Sequence, residues 1–399
     1  MPEIKMKHSA TDYEWAVRLN RTSLKIVGLW PTEEQDTKEK FLTTLRAIVF
    51  LMVVIFVFTI PCLCDLIKQC DNLIAVINNL GYSIPLMITV MKYIVVFKKK
   101  KVLLPIVNMI AEDWAKLKTE FEEAVMVRRA RVARAINIFG YTLISIMMSL
   151  MTILPRFGVT LRYVTNGTDV RKVFPLPTYY IYDVSETPYF EIIYVVQATG
   201  MLMMIFCYTG IDNFFGLLVL HISGQLENLQ TRLANINDSE TFNRFFAATV
   251  EDHVRLISAV DVIENTFTLL LLALLLYFGI FVCIYGLLLI TILVESEQIS
   301  MLRVAFLMGT FVNTFVQTSL YCMAGQILVS QAEGVYNAAY KCEWTNLKSN
   351  KAKKLILIMA RAKRPLYITA GKLFPMTMLT FCKILKVSLS YISFLLTRL

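Results

Sequence analysis

The sequence predicts an all-α membrane protein of seven transmembrane helices, with its amino terminus in the cytoplasm and its carboxyl terminus outside the cell. Three observations predict it. Apolar residues make up 56% of the chain and the mean hydropathy is +0.58, well above the soluble globular range. Seven apolar stretches reach the about 20 residues that a helix needs to span a bilayer; they lie near 45–66, 73–97, 135–154, 189–221, 265–294, 301–329 and 373–397. Lys and Arg number 29 in one alternating set of connecting segments and 5 in the other, and short cytoplasmic loops keep positive charge.

In chain order, residues 1–44 form a cytoplasmic arm with no early apolar core, so no secretory signal is expected. Trp30 and Pro31 end the short amphipathic piece Leu24-Lys-Ile-Val-Gly-Leu-Trp-Pro31, which suits the inner membrane interface. Residues 45–329 hold spans one to six. Between spans two and three, Lys98 to Arg134 reads as one helix with Trp114, Leu117 and Phe121 on a single face. Its basic cluster, like that of the arm, is expected to contact anionic membrane lipid; no nucleic-acid partner is expected. Of the sequons at Asn20, Asn166 and Asn237, only Asn166 falls outside, in the long Pro155–Pro188 loop, and it is the expected glycosylation site. Cys64 and Cys70 flank the first outer loop and are close enough in sequence to pair there.

The fourth and fifth spans are longer than a bilayer demands and are expected to continue as helix into water. Between them, apolar residues from Leu226 to Ile263 recur every three or four positions, the mark of helices burying a face on protein. With the basic segment 330–372 they predict an intracellular helical anchor layer where subunits meet. The seventh helix, within 373–399, carries Thr377, Thr380, Lys383, Lys386, Ser390, Ser393 and Thr397 along one stripe. Polar groups facing hydrocarbon are costly, so the stripe faces either other helices or water.

The three histidines are scattered and no nucleophile, phosphate-loop or zinc motif occurs, so the chain is read as no enzyme, with no cofactor and no metal. Charges well inside the spans are few: Lys92, Asp212, Lys383 and Lys386. Asp212 is the residue on which a secondary transporter, a rival reading, would rest. A small-molecule pocket is expected among the outer halves of the spans. Ser83 and Met87 supply span two, Tyr141, Ser145, Met148 and Thr152 span three, Gln197 and Met201 span four, and Phe306 and Met308 span six. Met and aromatic linings with a few hydroxyls suit a volatile or lipophilic ligand, although the same residues also serve plain helix packing.

Two segments carry a resemblance. An N-inside, seven-span chain whose last helix reads Ser390-Tyr391-Ile-Ser393-Phe-Leu-Leu near its end resembles the insect odorant receptors. The Leu24–Pro31 segment resembles the arm of that family, especially in ants, bees and wasps. The resemblance implies a non-selective cation channel gated by a small volatile odorant without a G protein, in the plasma membrane of sensory-neuron dendrites. It implies a heterotetramer with a common co-receptor subunit and a pore lined by the seventh helix. Ser390, Tyr391, Phe394, Leu395 and Thr397 would then form pore and gate, with the constriction at Phe394 or Leu395. The inner loop between spans four and five is shorter than that of the co-receptor, which implies an odorant-tuned subunit. Lys383 and Lys386 depart from what a cation path would choose. A gustatory receptor of the same superfamily is the nearer rival.

Overall fold

The computed structural model describes residues 2–33, 37–159, 161, 173–182, 184, 186–236, 242–295, 301–364 and 366–396, and these are overwhelmingly helical. Helix α1 (Pro2–Ile26) ends at Gly28, whose φ of +75° is cheap only for glycine. The N–H groups of Leu29 and Trp30 both return to the Leu24 carbonyl, at 2.8 and 3.3 Å. This turn sets Trp30 edge-on against Phe214, with ring centroids 5.6 Å apart. Here the structure differs from the sequence reading. Leu24, Leu29 and Trp30 are buried because the arm packs on helices of the bundle, so its apolar face is covered by protein rather than by lipid.

Residues Thr37–Lys68 form one rod in three parts: α2 (Thr37–Val53), a π-helical turn (Val54–Thr59) and α3 (Ile60–Lys68). Pro61 is the cause of the turn, since it has no N–H to return to the Val57 carbonyl and the helix widens ahead of it. The Tyr180 hydroxyl donates to that carbonyl instead, at 3.4 Å. Helix α4 (Leu73–Ala115) starts at Asn72, whose side chain accepts the Ala75 N–H at 3.1 Å. Its 43 residues make it roughly 65 Å long, about twice a bilayer core.

The helix expected over Lys98–Arg134 is broken. Helix α4 stops at Ala115 and α5 (Glu120–Ile153) starts afresh. The Thr119 hydroxyl accepts the Glu122 N–H at 3.3 Å, and the Glu122 carboxylate accepts the Thr119 N–H at 2.9 Å. This capping box satisfies two donors at the new helix start. In consequence Trp114 is buried while Leu117 and Phe121 are 87% and 52% exposed, so the three do not share a face.

Helices α6 (Tyr189–Ala234), α7 (Phe242–Glu295) and α8 (Met301–Lys341) follow, with 46, 54 and 41 residues. Helix α6 is central, packing on α1, α4, α5, α7 and α8. Where these rods emerge together at the α9 end they are pinned by linked ion pairs and a histidine–carboxylate hydrogen bond. Asp113 meets His221 at 3.0 Å and Arg255 at 2.6 Å, and Arg232 meets Glu122 at 2.6 Å and Asp252 at 2.7 Å. Thus α4, α5, α6 and α7 are crosslinked by charge as well as by apolar packing.

After α9 (Ser349–Ala362) comes a hairpin that the sequence reading does not contain: β1 (Thr369–Ala370) pairs antiparallel with β2 (Phe374–Pro375). Gly371 and Lys372 both have positive φ, the requirement of a type I′ turn. The hairpin docks on α7, where the Gly371 N–H donates to the Thr268 carbonyl at 2.8 Å and the Thr369 N–H to Glu264 at 2.7 Å. It leads directly into α10 (Met378–Leu396).

Five of the described helical segments are long and apolar enough to cross a membrane: Thr37–Lys68 and the bulk of α4, α5, α6 and α7. Helices α8 and α10 occupy the sixth and seventh predicted stretches. Large apolar side chains such as Phe41, Phe56, Phe139, Ile192 and Leu276 are exposed on the outer faces, a distribution that water would penalise and lipid would not. None of the eight cysteines, all among the described residues, forms a disulfide, so Cys64 and Cys70 are not bonded.

Candidate ligand cavity

Helices α4, α5, α6, α7 and α8 enclose a cavity of about 130 Å³ under the 173–182 loop. Cavities of this size in apolar surroundings accommodate a benzene-sized molecule. From α4 it is lined by Gly81, Tyr82, Pro85, Leu86 and Thr89, and from α5 by Ile144, Met147, Met148 and Met151. Helix α6 contributes Met201, Met204, Ile205 and Tyr208, α7 contributes Tyr277 and Tyr285, and α8 contributes Phe306, Thr310, Asn313 and Thr314. Leu176 closes the top. The wall is therefore thioether and aromatic with a ring of hydroxyls, which adapts to an apolar body and orients a single polar group.

The predicted residues divide clearly. Met148, Met201 and Phe306 meet at the cavity; the other seven do not line it. Met87 and Met308 are 41% and 42% exposed on the outside of the bundle. Ser83 is buried, but its hydroxyl bonds back to the Asn79 carbonyl at 3.1 Å, while Asn79 donates to Asp65 at 2.7 Å; the pair fastens α4 to α3. Tyr141 points to the arm side, beside Gly210 and Ser23. Ser145 is half-buried and outside the lining. The Thr152 hydroxyl donates to the Met148 carbonyl at 2.8 Å, and its own carbonyl accepts the Tyr194 hydroxyl.

Gln197 has a different role from the one expected. Its amide donates to the Thr178 and Tyr180 hydroxyls at 3.0 and 3.1 Å and accepts the Leu176 N–H at 3.3 Å. It is a clasp that holds the loop, and through the loop holds Leu176 over the cavity. Gln197→Leu is expected to weaken ligand affinity about tenfold, the worth of one or two net hydrogen bonds, through a faster off-rate; an unchanged off-rate in a stopped-flow displacement assay would contradict the clasp.

Below the cavity floor is a buried charge pair, Lys92 to Asp212 at 2.6 Å. Asp212 also accepts from Gln317 and from the Tyr321 hydroxyl, and the Lys92 ammonium stands 3.8 Å from the centre of the Tyr208 ring. Tyr208 donates to Gln317 at 2.9 Å. The intramembrane carboxylate that suggested a transporter is thus fully engaged in joining α4, α6 and α8.

On α10, Phe381, Thr380, Ser388 and Ile392 are buried, with the Ser388 hydroxyl donating to the Gly279 carbonyl at 3.3 Å. Lys383, Lys386, Ser390, Tyr391, Ser393 and Phe394 are exposed on the opposite side of the helix. Thr377 and Thr380 leave the stripe, since the Thr380 hydroxyl caps the hairpin by donating to the Pro375 carbonyl at 2.7 Å. The side chains of Leu395 and Thr397, and Asn166 in its loop, lie outside the described residues.

Fold and cavity together define a helical membrane-type protein with an internal cavity lined mostly by apolar side chains. The chain belongs to the 7tm Odorant receptor family, whose profile matches residues 72–389. It is 27% identical to Odorant receptor 10 of Aedes albopictus over 270 residues, spanning 66% of this chain and 68% of that protein. It is also 27% identical to Odorant receptor Or2 of Anopheles gambiae over 226 residues, 53% of this chain and 58% of the relative. Its fold is that of the insect olfactory receptor OR5 from Machilis hrabei, solved in complex with eugenol. The TM-score is 0.83 at 18% identity, over 98% of this chain and 100% of that one.

Proposed function

We propose that this chain is the odorant-binding subunit of a ligand-gated, non-selective cation channel, assembled with a co-receptor subunit in the plasma membrane of a sensory-neuron dendrite. The observation that carries the reading is the pairing of a Met- and Tyr-lined cavity with a terminal helix whose polar stripe is exposed. In the expected topology the cavity lies in the outer half of the membrane, and the charge-pinned ends of α4 to α7, with the end of α8 and α9, lie in the cytosol as the anchor between subunits. Exposed Tyr340, Trp344, Ile356 and Leu357 are the apolar surface that such an anchor would cover. The solved relative bound to eugenol supports a compact aromatic or aliphatic ligand here.

Ligand opens the pore only through a difference in affinity for the two states. The route from cavity to α10 runs through α7 and α8, both of which line the cavity and pack against α10. Phe394 and Leu395 would close the pore by excluding water. Phe394→Ala is expected to raise basal leak several-fold; wild-type leak and selectivity would count against a constriction at that level.

The reading is tested by two substitutions one turn apart. Met148→Phe changes cavity shape and is expected to shift the rank order of agonists, by about tenfold between ligands differing by one or two methylenes. Ser145→Ala, off the lining, is expected to leave the rank order alone. If Ser145→Ala shifted it and Met148→Phe did not, ligand would not be binding in this cavity.

A further inference from the structure

Helix α8 borders two cavities in succession. Phe306, Thr310 and Asn313 line the loop-side cavity under Leu176. Asn313, Gln317 and Leu320 line a second one, of about 100 Å³, deeper in the bundle between α5, α6 and α8. Asn313 therefore stands at the wall between the two, together with Ile144 and Tyr208.

Most hydroxyls on the loop-side wall have already committed their protons. Thr89 donates to the Pro85 carbonyl at 2.7 Å, Thr310 to the Phe306 carbonyl at 2.9 Å and Thr314 to the Thr310 carbonyl at 3.1 Å, the usual back-bonding of helix hydroxyls in apolar surroundings. Tyr208 donates to Gln317 at 2.9 Å. The Tyr277 hydroxyl pairs with the Thr314 side chain. That of Tyr285 is turned against α4, where a Cβ on Gly81 would strike it. Asn313 is different. It is half-buried, and its side-chain amide makes no hydrogen bond among the described residues. Its two polar atoms are not among the sealed, partnerless ones, so both keep accessible surface. An amide offers two N–H donors and a carbonyl acceptor, and an occupant without oxygen leaves those donors unmet, at a cost in affinity.

We propose that Asn313 determines the chemical class of ligand that the loop-side cavity prefers. Its Nδ2 donates to a carbonyl or hydroxyl oxygen placed at the wall between the cavities, and the apolar body of the ligand lies above it among Met148, Met201 and Leu176. Small ketones and alcohols are thereby favoured over hydrocarbons of the same shape. The proposal rests on the reading of this cavity as the ligand site, but it does not need the chain to pass current.

The test compares cyclohexanone with methylenecyclohexane, two molecules of one shape of which only the first carries an acceptor. Binding to the purified full-length chain in lipid nanodiscs is read by ligand-detected NMR against empty nanodiscs. Asn313→Leu removes the amide at nearly equal volume and is expected to shift the ratio of the two Kd values by about three- to tenfold toward the hydrocarbon, the worth of one net hydrogen bond. Asn313→Ala, which adds no bulk, is expected to shift it the same way and decides the matter if the leucine variant does not fold. Tyr82→Phe and Tyr285→Phe are expected to leave the ratio alone. Infrared spectroscopy gives a reading that needs no variant: the carbonyl stretch of bound cyclohexanone is expected below that of the ketone dissolved in nanodisc lipid. An unshifted stretch would overturn the proposal, as would a Kd ratio that moved with either tyrosine and not with Asn313. An unchanged ratio in both Asn313 variants, with binding of both ligands still weakened by Met148→Phe, would overturn it while leaving the cavity as the ligand site. Absence of saturable binding of either molecule to the wild type would overturn the proposal together with that reading of the cavity.

Discussion

Lys92→Met is expected to destabilise the folded chain by about 3–5 kcal/mol, the cost of leaving one member of a buried ion pair alone. The Lys92 side chain is fully buried and its ammonium is 2.6 Å from Asp212. With the cation gone, the carboxylate keeps Gln317 and Tyr321 but loses the charge that justified its burial. The double variant Lys92→Met/Asp212→Leu removes both charges and is expected to recover most of the loss, since paired replacement of a buried ion pair is often close to neutral. Thermal unfolding in detergent, followed by size-exclusion fluorescence, reads the cycle. Equal damage in the single and double variants would show that the pair is not the source of the effect. The same double variant bears on the transporter reading, because a folded, ligand-responsive channel without Asp212 leaves that carboxylate no transport role.

Gly325→Ala is expected to be nearly as damaging, for a steric reason. A Cβ at Gly325 would collide with the Met376 carbonyl oxygen, and backbone cannot rotate away as a side chain can. Met376 is itself buried and its N–H donates to the Ile368 carbonyl at 2.8 Å. The hairpin is also held on the other side by Gly371 and Thr369 against α7. Overpacking of this kind costs about 1–3 kcal/mol, and here the displaced segment is the root of α10. The expected outcome is protein that reaches the cell surface in reduced amount and passes little or no ligand-evoked current. Wild-type gating in Gly325→Ala would mean that α8 does not bear on the start of the last helix.

How much of this was legible in the residues depends on which physical signal each part leaves. Hydropathy placed the long helices well, because a segment facing lipid must be apolar along its length. The overlong α6 and α7 were readable too, since their apolar period outlasts a bilayer. The cavity was readable only by region. On α4 the lining falls at 81, 82, 85, 86 and 89, whereas Ser83 and Met87 sit on other faces of the same turns. On α5 the lining runs 144, 147, 148 and 151, one step out of phase with Tyr141, Ser145 and Thr152. In a helix that is apolar on every side, the moment that would fix the phase is weak, and choosing polar residues as ligand contacts selected Ser83 and Thr152, whose hydroxyls bond back to their own helices, and Gln197, which bonds a loop. Gln197 is the clearest case. Its partners Thr178, Tyr180 and Leu176 lie in a loop whose return over the bundle leaves no periodic trace.

Other misses had signals that were present. Thr119-Glu120-Phe121-Glu122 is a capping-box pattern that announces a helix start inside the supposed single helix. Gly371 followed by Lys372 between short β-prone pairs is a compact hairpin turn, obscured by the basic composition of the segment. Burial of Trp30 had no such signal: an amphipathic arm reads the same whether lipid or protein covers it.

The central claim, that ligand in the loop-side cavity opens a pore built with a partner subunit, is tested most directly by whole-cell current. Cells would express this chain alone, an insect co-receptor subunit alone, or both, and be challenged with volatile mixtures that include eugenol. The account predicts ligand-evoked, non-selective cation current that requires both chains and changes its agonist order with Met148→Phe. Ligand-evoked current from both chains that kept one agonist order through Met148→Phe and Met201 substitutions would contradict the cavity, and ligand uptake without current from a surface-expressed complex would contradict the channel.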